Sequence, residues 1–302
     1  MRIIIHGKQA ENADLRAAVE ALRATGREVE VRVTWDAGDG AMFARKACEE
    51  GVRTIVAAGG DGTLNEVVSG IFAAVTTHAQ PALGILPLGT ANDFARSCGV
   101  PLEPAGALQL ITETQPVSID LGRLGKRLFV NVATGGFGVQ VTAETSEELK
   151  RILGAAAYLL TGLQKFTSMA SSQGRFRGPG FAWEGNFLVL AVGNGRQAGG
   201  GHVLCPEATI NDGLLDVTVL PEIASGELGT TLSDLLRNGV GGAEFSVERA
   251  RLPWLELESE SELTINLDGE SLTGTSFRFE AQPRALRVHL PPGCPLLTGN
   301  AA

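Results

Sequence analysis

The chain has 302 residues, 44% hydrophobic and 20% charged, with 39 glycines and only 13 prolines. Glycine is far above its usual share of roughly 7% but shows no G-X-Y period, which excludes collagen-like and low-complexity classes and leaves a folded protein long enough for two domains. The formal net charge of −9 argues against sequence-independent nucleic-acid binding, so no nucleic-acid partner is expected.

Ile3–Ile5 reads as a short apolar strand, and Leu15, Ala18, Val19 and Leu22 recur at helical spacing until Gly26. Val29, Val31 and Val33 alternate as in a strand. Ala41, Ala44, Ala47 and Cys48 mark a second helix, ended by Gly51, before a buried strand over Thr54–Ala58. A helix over Asn65–Ala74, a strand over Leu83–Leu86 and a helix starting at Asp93–Cys98 follow. Strands separated by helices predict βαβ units and a parallel sheet.

After about residue 120 the texture changes. Phe129–Ala133, Phe187–Val192, Leu214–Leu220, Leu255–Leu257, Leu263–Leu267, Phe277–Phe279 and Leu286–Leu290 are short apolar or alternating runs bounded by Gly, Asn, Asp and Pro. They predict an antiparallel sandwich or partial barrel, interrupted by one helical insert from Ser146 to Phe166. The fold class is therefore α/β, with a parallel-sheet domain followed by an antiparallel β domain. The four cysteines form no C-x-x-C pair and no apolar run approaches ~18 residues. A soluble, intracellular, reduced protein is expected.

The glycines cluster where chemistry is expected. In Gly59-Gly60-Asp61-Gly62-Thr63-Leu64-Asn65-Glu66 a hydrophobic strand runs through glycines directly into a helix. Such a loop lets the backbone approach a ligand, and the new helix offers unpaired N–H groups to phosphate. Thr63 and Glu66 also fit a capping box, which makes Glu66 structural by itself. A second loop, Pro87-Leu88-Gly89-Thr90-Ala91-Asn92-Asp93, repeats the logic with Thr90-x-x-Asp93 opening a helix. Two such units on one sheet place two helix N-termini at one edge, and Asp61 and Asp93 add the oxygen ligands that Mg²⁺ needs.

The common nucleotide motifs are absent. Gly7-Lys8 and Gly125-Lys126 are not followed by Ser or Thr, so no Walker loop exists. Gly193-Asn194-Gly195-Arg196-Gln197-Ala198 has the spacing of a Rossmann fingerprint, but Gly199-Gly200-Gly201 follows where a helix should start. The four histidines show no metal-ligand spacing.

Taken together, Gly59–Glu66, Pro87-Leu88-Gly89-Thr90-Ala91-Asn92-Asp93-Phe94-Ala95, Ala133-Thr134-Gly135-Gly136-Phe137-Gly138, Gly193–Gly201, Asn211-Asp212-Gly213-Leu214-Leu215 and Asn266-Leu267-Asp268-Gly269-Glu270 resemble the diacylglycerol-kinase catalytic family, in its bacterial lipid-kinase branch. The Gly-Gly-Asp-Gly block alone is shared with NAD kinases and phosphofructokinases; the ordered set is far more specific. Ala58 stands where members of the family often have a third glycine. The resemblance implies an ATP-binding domain over 1–120, joined by a tail at about 284–302, a β-sandwich domain over 121–283, and an active site in the cleft between them. It implies ATP contacts at Thr34, Gly60, Asp61, Gly62, Thr63, Leu64, Asn65, Glu66 and Thr90, and a proton acceptor at Glu270. It also implies a Mg²⁺ site, able to take Ca²⁺, at Thr209, Asp212 and Leu214, with Asp93 as an additional candidate.

Read without the family, Asp268-Gly269 is a hairpin turn and Glu270 merely flanks it. Asn211-Asp212-Gly213 reads equally well as a turn. A lipid acceptor demands a bilayer, and Lys150 to Leu160, with Leu163, Lys165, Phe166, Arg175 and Arg177, has the apolar and cationic character of an interfacial helix; burial against the sheet suits it equally. The expected location is cytoplasmic and peripheral to the inner membrane face, with contact through about 150–177. An NAD-kinase-like enzyme with a soluble substrate, or a nucleotide-responsive binding protein without catalysis, are the competing readings.

Overall fold

The computed structural model describes residues 1–74, 80–136, 171–222 and 247–298. The expected helical insert at 146–166 lies outside them. The chain divides into two compact units, Met1–Val130 with Thr209–Gly213 and Gln282–Ala302, and Asn131–Ala208 with Leu214–Ala281.

In the first unit, apolar runs and amphipathic segments alternate as β1 (Arg2–Ile5), α1 (Ala13–Ala24), β2 (Glu30–Val33), α2 (Asp39–Glu49), β3 (Thr54–Gly59), α3 (Asp61–Ala74), β4 (Ala82–Pro87), α4 (Asp93–Cys98) and α5 (Pro104–Glu113). A hairpin of β5 (Val117–Leu124) and β6 (Arg127–Phe129) follows. Strands β2, β1, β3 and β4 are parallel neighbours in that order, and Arg287 and Val288 extend the sheet beside β4. Successive strand residues serve opposite faces. Ile4, Ile55 and Ala57 pack with Ala44, Ala47, Val67 and Ile71 of α2 and α3. Ile3, Ile5, Val56 and Ala58 pack with Leu15, Val19, Leu108 and Ile111 of α1 and α5.

That order creates a switch point. The chain leaves β1 to one side for β2 and returns to the other side for β3, so the loops that leave β1 and β3 run to opposite faces and open a crevice where α/β sheets bind ligands. Two differences from the sequence reading are physical. Helix α3 starts at Asp61, four residues before the expected Asn65, because Gly59 and Gly60 complete the turn themselves. Helix α5 was not anticipated, although Pro104 in its first turn and Ala107, Leu108 and Ile111 at helical spacing mark it.

Helices α2 and α3 meet at a glycine. A Cβ on Gly70 would lie 2.8 Å from Ala41 Cα and closer still to its carbonyl oxygen. Gly70→Ala should therefore push the helices apart and lower stability by about 1–3 kcal/mol, read as a lower midpoint in thermal unfolding followed by circular dichroism. An unchanged midpoint would contradict this packing.

The second unit is antiparallel. Its strands are β7 (Val132–Gly136), β8 (Ser172–Gly178), β9 (Phe181–Gly193), β10 (Gln197–Ala198), β11 (His202–Val203), β12 (Leu215–Pro221), β13 (Glu248–Leu252), β14 (Trp254–Leu267) and β15 (Glu270–Val288), whose end belongs to the first unit. The order is β13-β12-β9-β7-β14-β15. The runs expected separately at Leu255–Leu257 and Leu263–Leu267 are one strand, which keeps the same inward phase throughout while its register against β15 shifts between Glu258 and Leu263. On its first part β14 pairs with β8 and on its last with β7. Phe176 and Phe187 anchor the core with ring centroids 5.2 Å apart, edge to face. Ala198 lies in a short strand, so the Gly193–Ala198 string opens no helix.

Arg175 and Arg177, expected to flank an interfacial helix, stand on β8. Arg175 pairs with Glu184 at 2.9 Å and with Glu258 at 3.6 Å, so its charge is answered within the unit. Among the described residues no helix is long and apolar enough to cross a membrane.

Candidate active site

The carboxyl edge of the parallel sheet gathers most of the expected nucleotide contacts. The β3–α3 loop and the β4–α4 loop touch through glycine backbone: a Cβ on Gly60 would stand 3.3 Å from Gly89 Cα, and one on Gly89 would stand 3.1 Å from Gly60 N and 2.9 Å from Asn92 Oδ1. Leu88 N–H donates to Gly59 O at 2.9 Å, which zips the loops together. A Cβ on Gly59 would come within 2.6 Å of Thr63 Cβ, so the chain can enter α3 here only without a side chain.

Asp61 and Glu66 each bind a neighbouring segment. Asp61 Oδ2 accepts the Asp93 N–H at 3.1 Å and Oδ1 the Phe94 N–H at 3.2 Å, so the first loop caps the helix of the second. Thr90, expected to open that helix, is exposed; the residue before the helix is Asn92, at φ 52°, whose side chain closes on Gly89 in both directions. Glu66 does not complete a capping box with Thr63, which lies inside the first turn of α3. Its carboxylate accepts N–H from Gly38 at 3.1 Å and Gly40 at 3.0 Å and caps α2 instead. A carboxylate satisfies whichever orphan helix donors lie within reach, and here those belong to other helices.

Burial pushes the Asp61 carboxyl above its usual range, against the pull of the Phe94 and Asp93 N–H groups. The folded chain therefore holds that proton to higher pH than the unfolded chain. Stability tied to Asp61 is greatest in acid and is lost as pH rises through the raised value, so the ionised form is a cost at neutral pH.

Of the other loop residues, Leu64 belongs to the core and Thr63, Asn65 and Asp93 are buried. Asn65 Oδ1 is buried with no hydrogen-bond partner. Thr34 ends β2 on the same edge, its N–H donating to Ile5 O at 2.8 Å. A cavity of about 430 Å³ lined by Arg53, Gln80, Arg287 and His289 opens at the opposite, amino edge and contains none of these groups.

The Thr209–Gly213 loop also belongs to the first unit, and there Thr209 Oγ1 donates to Asp212 Oδ2 at 2.6 Å. A residue the sequence reading used only as a boundary organises it. Asp120, 1% exposed, accepts Gly213 N–H at 2.6 Å and Arg284 N–H at 2.7 Å, and its own N–H donates to Ile210 O. No group of three His, Cys, Asp or Glu able to share a metal ion occurs among the described residues. The donors here are oxygens, which suits Mg²⁺ or Ca²⁺ completed by water.

Glu270 and Leu214 lie in the second unit. Glu270 is exposed at the first position of β15, opposite Leu267, after a turn in which Asp268 (φ 46°) and Gly269 (φ 101°) are both left-handed. Asn266 Oδ1 accepts Gly269 N–H at 3.0 Å and fixes that turn.

Comparison with known proteins accounts for both units. Residues 1–124 match the diacylglycerol kinase catalytic domain, and residues 131–290 match the YegS C-terminal NAD kinase beta sandwich-like domain. A probable lipid kinase YegS-like protein of Pseudomonas aeruginosa is 55% identical over 98% of this chain and 95% of its own, and one from Pseudomonas putida is 54% identical over 98% and 97%. A solved diacylglycerol kinase from Bacillus anthracis matches at a TM-score of 0.75 and 25% identity, over 96% of this chain and 97% of that one. Another structure from the same organism shares the fold at a TM-score of 0.80 and 24% identity, over 97% and 96%.

Proposed function

The chain belongs to the diacylglycerol kinase catalytic-domain family, and from that premise we propose that it transfers the γ-phosphate of ATP to a hydroxyl of a membrane lipid, of diacylglycerol or phosphatidylglycerol type. The observation that carries this reading is the union of the two glycine loops at the carboxyl edge of the sheet, beside the switch point, with the Asp61 carboxylate bridging to the second helix. Phosphate oxygens fit there because the first-turn N–H groups of α3 lack intrahelical acceptors and the backbone is bare of side chains.

In this reading Thr34, Gly60 through Glu66, and Thr90 line the nucleotide. The side chains of Leu64 and Glu66 are engaged elsewhere, so these two contribute backbone and loop shape. Phosphoryl transfer asks the protein mainly to position groups and to offset charge. Glu270 takes the proton of the attacking hydroxyl. Thr209 and Asp212, with Leu214 next after Gly213, hold Mg²⁺, or Ca²⁺ in its place, and Asp93 is a further candidate ligand. When bound, the metal supplies positive charge against the phosphate oxygens.

Incubating the protein with γ-labelled ATP and a total lipid extract should place label in the organic phase, and separation of that phase should identify the acceptor. Label transferred to NAD in the aqueous phase would instead indicate a soluble-substrate kinase. ATP binding with no labelled lipid across the extract would indicate a binding protein without turnover.

A further inference from the structure

Trp35 is 92% exposed, while most large apolar residues of the first unit are buried. Tryptophan carries one of the largest apolar surfaces of any side chain, roughly 150–250 Å² of it normally removed from water. An indole left almost wholly in solvent on a firmly built loop invites a ligand.

The loop is firmly built. Thr34 is pinned to the end of β1 through Ile5 O. Asp39 Oδ2 accepts the N–H of Trp35 at 2.7 Å and of Asp36 at 3.0 Å. Glu66, from the helix that leaves the first glycine loop, accepts the N–H of Gly38 and Gly40. Trp35 is thus tied by hydrogen bonds to the segment that begins at Gly60, while its ring touches little.

Position supplies the second argument. Strand β2 follows β1, and β1 follows β3, along the sheet. The end of β2 is therefore two strand spacings, ~10 Å, from the end of β3. That is the reach of an extended nucleoside triphosphate from its phosphates to its base.

We infer that Trp35 is the stacking surface for the base of the nucleotide, a planar ring lying on the indole while the phosphates rest on the glycine loops. This rests on the nucleotide-binding reading above and adds the residue that recognises the base. A bilayer contact is the other use of an exposed indole, and Val33 and Met42 are also exposed, at 42% and 45%. Asp36 and Asp39 share this loop, however, and backbone N–H donors hold the Asp39 carboxyl below its usual range, so the loop carries negative charge and is poorly matched to an anionic leaflet.

Calorimetric titration of the full chain with ATP and with inorganic tripolyphosphate, for wild type and Trp35→Ala, tests this. Base stacking is sequence-tolerant and substantial, so Trp35→Ala should weaken ATP about tenfold and leave tripolyphosphate affinity and the thermal midpoint unchanged. The fluorescence difference between wild type and Trp35→Phe should be quenched by ATP. Wild-type ATP binding that survives Trp35→Ala unchanged, or quenching by vesicles of brominated phosphatidylglycerol but not by ATP, would overturn the stacking role and leave the phosphate site standing. If wild type binds neither ATP nor tripolyphosphate, the nucleotide reading itself fails.

Discussion

Gly89→Ala is expected to abolish nucleotide binding at concentrations that saturate the wild type, and to lower stability by about 2–3 kcal/mol. The added methyl has nowhere to go. It would stand 3.1 Å from Gly60 N and 2.9 Å from Asn92 Oδ1, with Gly60 Cα closer still. Two of those atoms are backbone of the facing loop, so the strain can be relieved only by separating the loops. Separation breaks the Leu88 N–H bond to Gly59 O and carries Asp93 and Phe94 away from the Asp61 carboxylate.

Gly62→Ala is the informative contrast. A Cβ there meets nothing within 4 Å, and Gly62 already lies in the first turn of α3. Alanine is the better helix former by roughly 1 kcal/mol, so stability should hold or rise. Thermal melts of the two variants side by side, with calorimetric titration of ATP, check the pair. Equal melting points would mean that the loops do not abut as described.

The contrast also shows what sequence can carry. Both glycine loops, the parallel pairing of the strands around them and the Asp268-Gly269 turn follow from local patterns: apolar runs, glycine positions and helical spacing. The partners of the acids do not. Glu66 reaches Gly40, 26 residues away; Asp61 reaches Phe94, 33 away; Asp120 reaches Gly213 and Arg284, 93 and 164 away. A capping template looks three residues along the chain, and it assigned Glu66 and Thr90 to the wrong donors. Asp120 left no local signal, since an acid beside an apolar strand is ordinary until the loop it holds is in place. The two apolar runs of β14 read as separate strands because the polar, largely exposed stretch 258–262 parts them. Helix α5 is a plain miss of the sequence reading, since Pro104 and the helical spacing of Ala107, Leu108 and Ile111 are local signals.

Glu270→Gln is expected to lower phosphoryl transfer by about 10²–10⁴-fold while ATP affinity and the thermal midpoint stay where they are. Glutamine keeps the shape of the side chain and most of its hydrogen-bonding capacity but cannot accept the hydroxyl proton. Glu270 is exposed at the first position of β15, where a side-chain amide fits as easily as a carboxylate. The turn before it is held by Asp268 and Gly269 in left-handed conformations and by Asn266 Oδ1, none of which the substitution touches. These facts separate the two readings of the residue. A mere flank of the turn predicts normal turnover in Glu270→Gln, whereas a base predicts lost turnover with binding and stability intact. Labelled-lipid formation, ATP titration and a melt on one preparation decide between them. Normal transfer by Glu270→Gln would move the proton acceptor to another residue and leave the nucleotide loops as they are.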